Sequence, residues 1–246
     1  MKHLLFTLLL LPGLVQAAAF TGIAGDVVIS GSLFLDNDAA NDGTFSEAAG
    51  VGNVAEIRHA DGTLLWDNSL TELSLGFSGF TRTALVPGLG GTTQFTSVGG
   101  VVNFWENALG TFQVTGDYVA DTLAIDNGLS MLSLIGFADA LGNVAVGQFS
   151  DTSYASNGFL EVVGGSFGTI FDTNNIDLTP AGFSDFTFNI SGDNIATGGY
   201  DFSGSADLAA TAVPEPNILA LLGVGLIGMA LRLNRRELEP MLGLSS

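Results

Sequence analysis

Short runs of alternating or β-branched apolar residues recur along the middle of this chain, and they limit what it can fold into. No window of eleven residues between positions 20 and 212 shows the helical period of 3.6. The runs lie at 26–35, 54–66, 92–98, 101–106, 111–117, 130–138, 143–149, 159–165, 183–192 and 200–208, and the turn dipeptides among them are Asp42-Gly43, Asp61-Gly62, Asn127-Gly128 and Asn157-Gly158. The pattern predicts one all-β domain over residues 20–212, a jelly-roll-like β-sandwich of about ten or more short strands. A β-solenoid is the alternative, but the sequence has no fixed repeat period to support it.

The charge balance of the chain excludes one class of partner. Six Lys and Arg residues stand against 25 Asp and Glu residues, which gives a formal net charge of −19. Nucleic-acid binding requires basic side chains that replace counterions, so we exclude nucleic acid as a partner. A strongly negative field instead favours divalent cations. The chain has no cysteine, which excludes disulfides, zinc-thiolate sites, iron-sulfur clusters and cysteine nucleophiles.

The N-terminal residues 1–19 have the three parts of a secretory signal peptide. Lys2 and His3 precede an apolar run at 4–11, and small residues follow before the predicted domain. A membrane anchor or a buried helix is the alternative, but the run is short and Pro12-Gly13 breaks it. We therefore expect export through the Sec pathway, with cleavage after Ala17 or Ala19.

The C-terminal segment combines an uncharged apolar run with a basic cluster. Residues 218–231 carry no charge, and Arg232, Arg235 and Arg236 follow. A helix over 217–233 would be about 25 Å long, close to the thickness of a bilayer core. This predicts a transmembrane helix whose arginines and tail, residues 238–246, stay cytoplasmic while the acidic domain lies across the membrane. A core helix of a soluble domain is the alternative, although the run has no polar stripe.

The same segment resembles a known sorting signal. The residues that carry the likeness are Val213, Pro214, Glu215 and Pro216, then Leu219, Leu222, Gly223, Gly225 and Leu226, then Arg232, Arg235 and Arg236. Over residues 213–237 they are similar to the PEP-CTERM sorting signal of Gram-negative bacteria. The resemblance implies processing near Pro214–Pro216 by the membrane protease-transpeptidase exosortase. The resemblance also implies that the chain is anchored transiently in the inner membrane and is then located at the cell surface or in the exopolysaccharide matrix. Such signals usually stop soon after the arginines, whereas this chain continues to Ser246.

An acidic loop after the first predicted strand is a candidate calcium site. Its oxygen donors are Asp36, Asp38, Asp42 and Glu47, the kind of ligands that Ca²⁺ prefers. The spacing does not match an EF-hand, because Ala40 occupies the fifth position. The alternative is a solvated hairpin loop whose side chains bond to their own backbone.

Catalytic candidates in the predicted domain are few. Ser166 lies in a G-x-S-x-G match, but the residues after it form a poor helix, and His59 lies on the wrong side of it in the sequence. A glycosidase would need two facing carboxylates, and the sequence cannot pair any two of Glu47, Glu56, Glu72, Glu106 and Glu161. Trp66, Trp105 and Phe104 could stack on sugars, although aromatic residues in strands mostly form the core.

These observations favour an exported, non-enzymatic protein of the cell surface or biofilm matrix. Exosortase and extracellular polysaccharide are its expected partners, and calcium is the candidate cofactor. Residues 159–175 resemble exported proteins linked to bacterial flocculation, which implies a role in flocculation or adhesion. A calcium-dependent carbohydrate-binding module is the alternative, and a glycan-cleaving enzyme is a weaker one.

Overall fold

A computed structural model of the chain describes residues 23–36, 38–39, 45–194 and 199–213. The predicted signal peptide, transmembrane helix and cytoplasmic tail lie outside these residues. The chain divides into two units, residues 1–214 and 215–246, and every described residue belongs to the first.

Most of the described residues form β-strands. The strands are β1 Gly25–Asp36, β2 Glu47–His59, β3 Leu64–Asp67, β4 Glu72–Pro87, β5 Thr93–Asn107, β6 Leu129–Gly136, β7 Ala145–Phe149, β8 Ser153–Gly164, β9 Ile176–Asp177, β10 Phe183–Ser184, β11 Phe186–Asn194 and β12 Phe202–Ala212. Two short helices, α1 Tyr118–Ile125 and α2 Gly168–Phe171, and a 3₁₀ turn at Leu89–Gly91 connect them. The predicted all-β class is confirmed.

Ten of these strands form one antiparallel sheet that closes on itself. The order is β1-β12-β11-β8-β6-β5-β4-β2-β3, and β7 bridges β5 and β8. Strand β1 pairs with β12 on one side and with β2 on the other, so the path returns to its start. The curved sheet is sandwich-like and encloses the core. Strands β9 and β10 form a separate small pair.

The main core lies inside the closed sheet. In β1 the side chains of Val27, Ile29, Leu33 and Leu35 are buried, as expected for a strand with one face on a core. The largest fully buried side chains include Phe104, Phe171 and Phe186. Helix α2 contributes to this core, because Ile170 and Phe171 are both buried in it.

A second, smaller core lies on the outer side of the sheet under α1. Its buried members are Val51, Ile125 and Tyr200, and partly buried aromatic side chains pack around them. These aromatic residues are Phe34, Trp105, Phe112 and Tyr118. Helix α1 therefore covers part of the outer face of β2 and β4, and this coverage explains why some strand residues are buried on both faces.

Asp121 ties α1 to the loop before it and to Tyr200. Its carboxylate accepts hydrogen bonds from the Thr115 N–H at 2.9 Å and the Tyr200 hydroxyl at 2.9 Å. Only 1% of the residue is exposed. Burial by itself raises the pKa of Asp121, but the hydrogen bonds from Thr115, Tyr200 and Gly116 outweigh it and hold the pKa below its ordinary value.

The predicted strand at 111–117 is wrong, and two carboxylates explain why. The backbone N–H groups of Gly110 and Phe112 bond to buried Glu72, the first at 3.0 Å. Those of Thr115 and Gly116 bond to Asp121. These donors are therefore unavailable to a neighbouring strand, and the segment forms a loop.

Strand β4 is absent from the predicted runs. All residues from Glu72 to Phe77 are buried, so the sequence shows no alternation there. The Asn157-Gly158 turn is also wrong, because both residues lie inside β8. The Asp61-Gly62 turn is confirmed: the His59 N–H donates to the Thr63 carbonyl at 2.9 Å, and Gly62 has a φ of 90°.

Replacing Phe186 by Ala tests the main core. Phe186 is fully buried and its ring lies 5.3 Å from that of Phe171. We expect Phe186→Ala to lower the free energy of unfolding by about 3–5 kcal/mol, because it leaves a cavity. Phe183→Ala is the matched control, since Phe183 is 48% exposed, and should cost about 0.5 kcal/mol or less. Urea unfolding of the full-length protein measures both, and equal losses would contradict this account.

Replacing Asp121 by Asn tests how much its carboxylate stabilises the position of α1. Because the folded pKa of Asp121 lies below its ordinary value, its carboxylate stabilises the fold above about pH 4, and this stability is lost as the pH falls through the folded pKa. We expect Asp121→Asn to cost about 1–3 kcal/mol at pH 7, because an NH2 group replaces one of the two carboxylate oxygens and cannot accept the hydrogen bonds that this oxygen accepts. The difference should narrow as the pH falls through the folded pKa of Asp121. Thermal unfolding measured across pH, with exposed Asp126→Asn as the control, checks both expectations.

Candidate functional site

The domain ends where the predicted sorting segment begins. Ala212, the last residue of β12, is buried and pairs with Gly25 at the start of β1. The next residue, Val213, is 45% exposed, and its N–H donates to the Ile170 carbonyl at 2.8 Å. The first and last strands of the described domain therefore lie side by side, and Val213 is the last residue that the structure describes.

The other predicted sorting residues lie outside the described part of the chain. They are Pro214, Glu215, Pro216, Arg232, Arg235 and Arg236. Across the described ranges, from residue 23 to 213 with their gaps, no helix has both the length and the apolar character needed to cross a membrane.

The predicted calcium ligands flank the connection between β1 and β2. Asp36 ends β1, and its Oδ1 accepts the Asp38 N–H at 2.9 Å. Burial and repulsion from Asp201 and Asp38 raise the pKa of Asp36, although the Asp38 N–H opposes the shift. The carboxylates of Asp38 and Asp201 are thus close enough to affect that of Asp36.

Glu47 is directed elsewhere. Its Oε1 accepts the Gly79 N–H at 3.1 Å, at the β4 side of β2. Among the residues that the structure describes, no three Asp, Glu or His side chains are grouped as a metal ion would require. Asp42 lies outside the described residues, so the site of Asp36, Asp38, Asp42 and Glu47 stays a prediction.

A buried arginine next to this connection was not identified from the sequence. Arg82 is 8% exposed, and its guanidinium carbon lies 4.9 Å from the ring centroid of Phe95 and 5.3 Å from that of Phe149. Burial lowers its pKa, and the interaction with Tyr154, followed by attraction to Asp201 and Asp38, opposes the shift. Arg82 therefore places positive charge near Asp38, one of the four predicted calcium ligands, and near Asp201. Its only sequence signal is that it is one of two basic residues between positions 20 and 212.

The catalytic candidates make structural contacts. The Ser166 hydroxyl donates to the Ser130 carbonyl at 2.9 Å, and His59 Nδ1 lies 3.4 Å from the Asp26 carbonyl oxygen. Ser166 lies on the glycine-rich connection between β8 and α2.

The five glutamates of the sequence analysis take different roles. Glu72 binds loop N–H groups, Glu106 accepts the Thr71 hydroxyl at 2.8 Å, and Glu56 forms a surface ion pair with Arg58. Glu47 bonds to Gly79, as described above.

Glu161 differs, because other carboxylates lie nearby. Burial, followed by repulsion from Asp185 and Asp172, raises its pKa. Asp185 itself accepts backbone N–H groups from Val162, Thr173 and Asn174 at 2.9, 2.7 and 2.6 Å. Asp185 therefore holds the segment after α2 against β8, which is a structural role.

The aromatic residues considered for sugar stacking belong to the cores. Trp66 and Phe104 are buried in the main core, and Trp105 packs in the smaller outer core. The sequence interpretation of these residues as packing residues is confirmed. They do not form an exposed stacking surface.

A polar groove lies on the outer face of the sheet, and the sequence does not predict it. Its volume is about 460 Å³, and it crosses β4, β5, β7, β8 and β11. Exposed amide side chains line it: Gln94, Gln148, Asn157 and Asn189. Because these residues come from four strands, no local motif in the sequence could identify the groove.

Comparison with known proteins identifies the C-terminal segment. A family model of the PEP-CTERM protein-sorting motif matches residues 212–236. The chain thus carries this motif, beginning at the last residue of β12. The motif implies an exported protein with a membrane-anchored sorting signal that exosortase processes. No curated protein and no solved structure matches the chain.

The predicted calcium site can be tested by thermal unfolding with and without calcium. If calcium binds at 100 times its Kd, it should add about 2.7 kcal/mol, or about 5–10 °C in Tm. The double variant Asp36→Ala/Asp38→Ala should lose this increase. Asp61→Ala/Asp67→Ala is a matched control, because these exposed carboxylates also accept backbone N–H groups two residues ahead. An unchanged Tm of the original protein in calcium would contradict the prediction.

Proposed function

We propose, from the premise of the PEP-CTERM sorting motif at residues 212–236, that this chain is a non-enzymatic protein of the cell surface or biofilm matrix of a Gram-negative bacterium. It is exported through the Sec pathway, sorted by exosortase, and associates with exopolysaccharide there. Flocculation or adhesion is the cellular role that fits this association.

The position of the motif relative to the fold carries the proposal. The folded domain is complete at Ala212, whose pairing with Gly25 is the last of the β1–β12 ladder. A cut between Pro214 and Pro216 would leave this ladder intact. Two prolines fix φ and cannot donate ladder hydrogen bonds, so the segment suits an enzyme that needs an extended substrate.

The hydrogen bonds that the candidate catalytic residues form support a non-enzymatic role. Ser166 and His59 each contact a different backbone carbonyl, and neither contact places an acid or base next to a nucleophile. Glu47 and Glu72 bind backbone N–H groups of other segments. Carboxylates used in this way maintain loop geometry.

The sorting half of the proposal can be tested by mass spectrometry of the envelope and secreted fractions. We expect mature protein that lacks the residues beyond the Pro-Glu-Pro element. Pro214→Ala/Pro216→Ala should block this processing, whereas the matched control Pro240→Ala, outside the motif, should not. An intact C-terminus through Ser246 in the exported protein would overturn the proposal.

The polysaccharide half needs a separate measurement. The processed protein should co-sediment with exopolysaccharide isolated from the same cells, and it should be released when the polysaccharide is digested. Recovery of all the protein in the polysaccharide-free supernatant before digestion would contradict this half while leaving sorting unaffected.

A further inference from the structure

We infer that the amide-lined groove is the binding site for polysaccharide and that it takes a neutral glycan chain. This inference rests on the proposed association with exopolysaccharide and adds the site and the class of ligand. The groove is formed by Val86 of β4, Gln94 and Thr96 of β5, Val146 and Gln148 of β7, Asn157 of β8 and Asn189 of β11.

The strand register places the four amides in two cross-strand pairs. Gln94 lies opposite Gln148 in the β5–β7 ladder, and Asn157 lies opposite Asn189 in the β8–β11 ladder. Directly opposite residues have Cβ atoms about 4.5–5.5 Å apart. The pairs are linked through β7 and β8, since Val146 lies opposite Asn157. The two amide pairs therefore lie on one continuous surface, with Val146 between them.

These amides are available to a ligand. All four side chains are exposed, and none of them hydrogen-bonds to another residue in the described part of the chain. Each amide offers two donor hydrogens and one acceptor oxygen. A sugar hydroxyl also donates and accepts, so neighbouring hydroxyls on a pyranose ring match a pair of amides better than a ligand with acceptors alone.

Exposed aliphatic side chains complete the groove. Val86 is 52% exposed and Val146 is 40% exposed, and both line it. They provide apolar surface for the C–H faces of sugar rings. A volume of about 460 Å³ is in the range of small-molecule sites, about 300–1,000 Å³. The groove runs across five strands, a form suited to a passing chain.

The charge of the lining selects the class of polymer. Among the residues that the structure describes, none with a charged side chain lines the groove, although the chain has a formal net charge of −19. An anionic polysaccharide would find no cation in the groove and would be repelled by the acidic domain. A neutral polymer avoids this repulsion and can satisfy the amides. The groove therefore favours an uncharged glycan over a uronate or sulfated one.

The affinity of one groove should be modest, because its polar contacts are neutral and solvent-exposed. Many copies on one surface would bind a repeating polymer simultaneously, and their effective concentration would strengthen the overall attachment. Such binding suits matrix adhesion.

Affinity electrophoresis of the full-length protein in detergent tests the inference. The gels contain dextran, hydroxyethylcellulose or galactomannan as neutral probes, and alginate as the anionic probe. We expect retention by at least one neutral glycan and none by alginate. Asn157→Ala/Asn189→Ala should weaken that retention about tenfold, because two hydrogen-bonding amides are lost. Gln94→Ala/Gln148→Ala should act in the same direction.

Matched controls separate binding from folding. Asn68→Ala/Gln113→Ala removes two exposed amides outside the groove and should leave retention unchanged. Gln148→Glu keeps the side-chain shape but adds negative charge and removes the amide donors, so it should also weaken retention while thermal unfolding stays close to that of the original protein.

The outcomes distinguish the site from the wider proposal. Retention by a neutral glycan that the groove variants do not change would overturn the site but keep polysaccharide association. Retention by alginate alone would overturn the neutral class of ligand. Absence of retention on all four probes, together with failure to co-sediment with the native exopolysaccharide, would overturn both the inference and the polysaccharide half of the proposed function.

Discussion

The fold depends on the double pairing of β1. This strand is hydrogen-bonded to β12 along one edge and to β2 along the other, and it joins the end of the domain to its beginning. Closure removes two open edges that would otherwise invite pairing with other chains. The close approach of β1 and β2 requires glycine: a Cβ on Gly50 would lie 2.1 Å from the Phe34 carbonyl oxygen, and one on Gly31 would lie 2.4 Å from that of Asn53. Glycine in this protein therefore serves strand packing as well as turns.

The sequence predicts the class of fold because the alternation of apolar and polar residues is a pattern of neighbouring positions in the chain. Strand β1 faces solvent on one side and the core on the other, and its alternating residues identify it almost to its ends. The segment at 111–117 alternates equally well, but Glu72 and Asp121 take its backbone donors from distant positions. Strand β4 lacks alternation because α1 and its loop cover its outer face. The wrong strand at 111–117 and the missed strand β4 both result from contacts between residues far apart in the sequence.

The two candidate functional regions, the sorting motif and the groove, differ in whether the sequence alone identifies them. The sorting motif occupies consecutive residues and follows the last strand, so the sequence alone identifies it. The groove combines side chains that are up to about a hundred positions apart, and the register of four ladders brings them together. The environment of Arg82 is equally non-local: its aromatic contacts come from β5 and β7. Attraction also links Arg82 to Asp38 and Asp201, which lie far from it in the sequence.

Strand β12 ends at Ala212, beside Gly25 of β1, and this position of the attachment point has a mechanical consequence. Tension between Val213 and a polymer held at Asn189 would pull β12 and β11 in opposite directions along their lengths. The ladder between these strands runs from Phe186 opposite Ala210 to Asn194 opposite Phe202. Its hydrogen bonds lie perpendicular to the strands, so such a pull would load them together in shear and would not open them one at a time. A domain that is attached at Val213 and carries load at the groove face would therefore resist extension. It would do so without a disulfide, because the chain contains no cysteine.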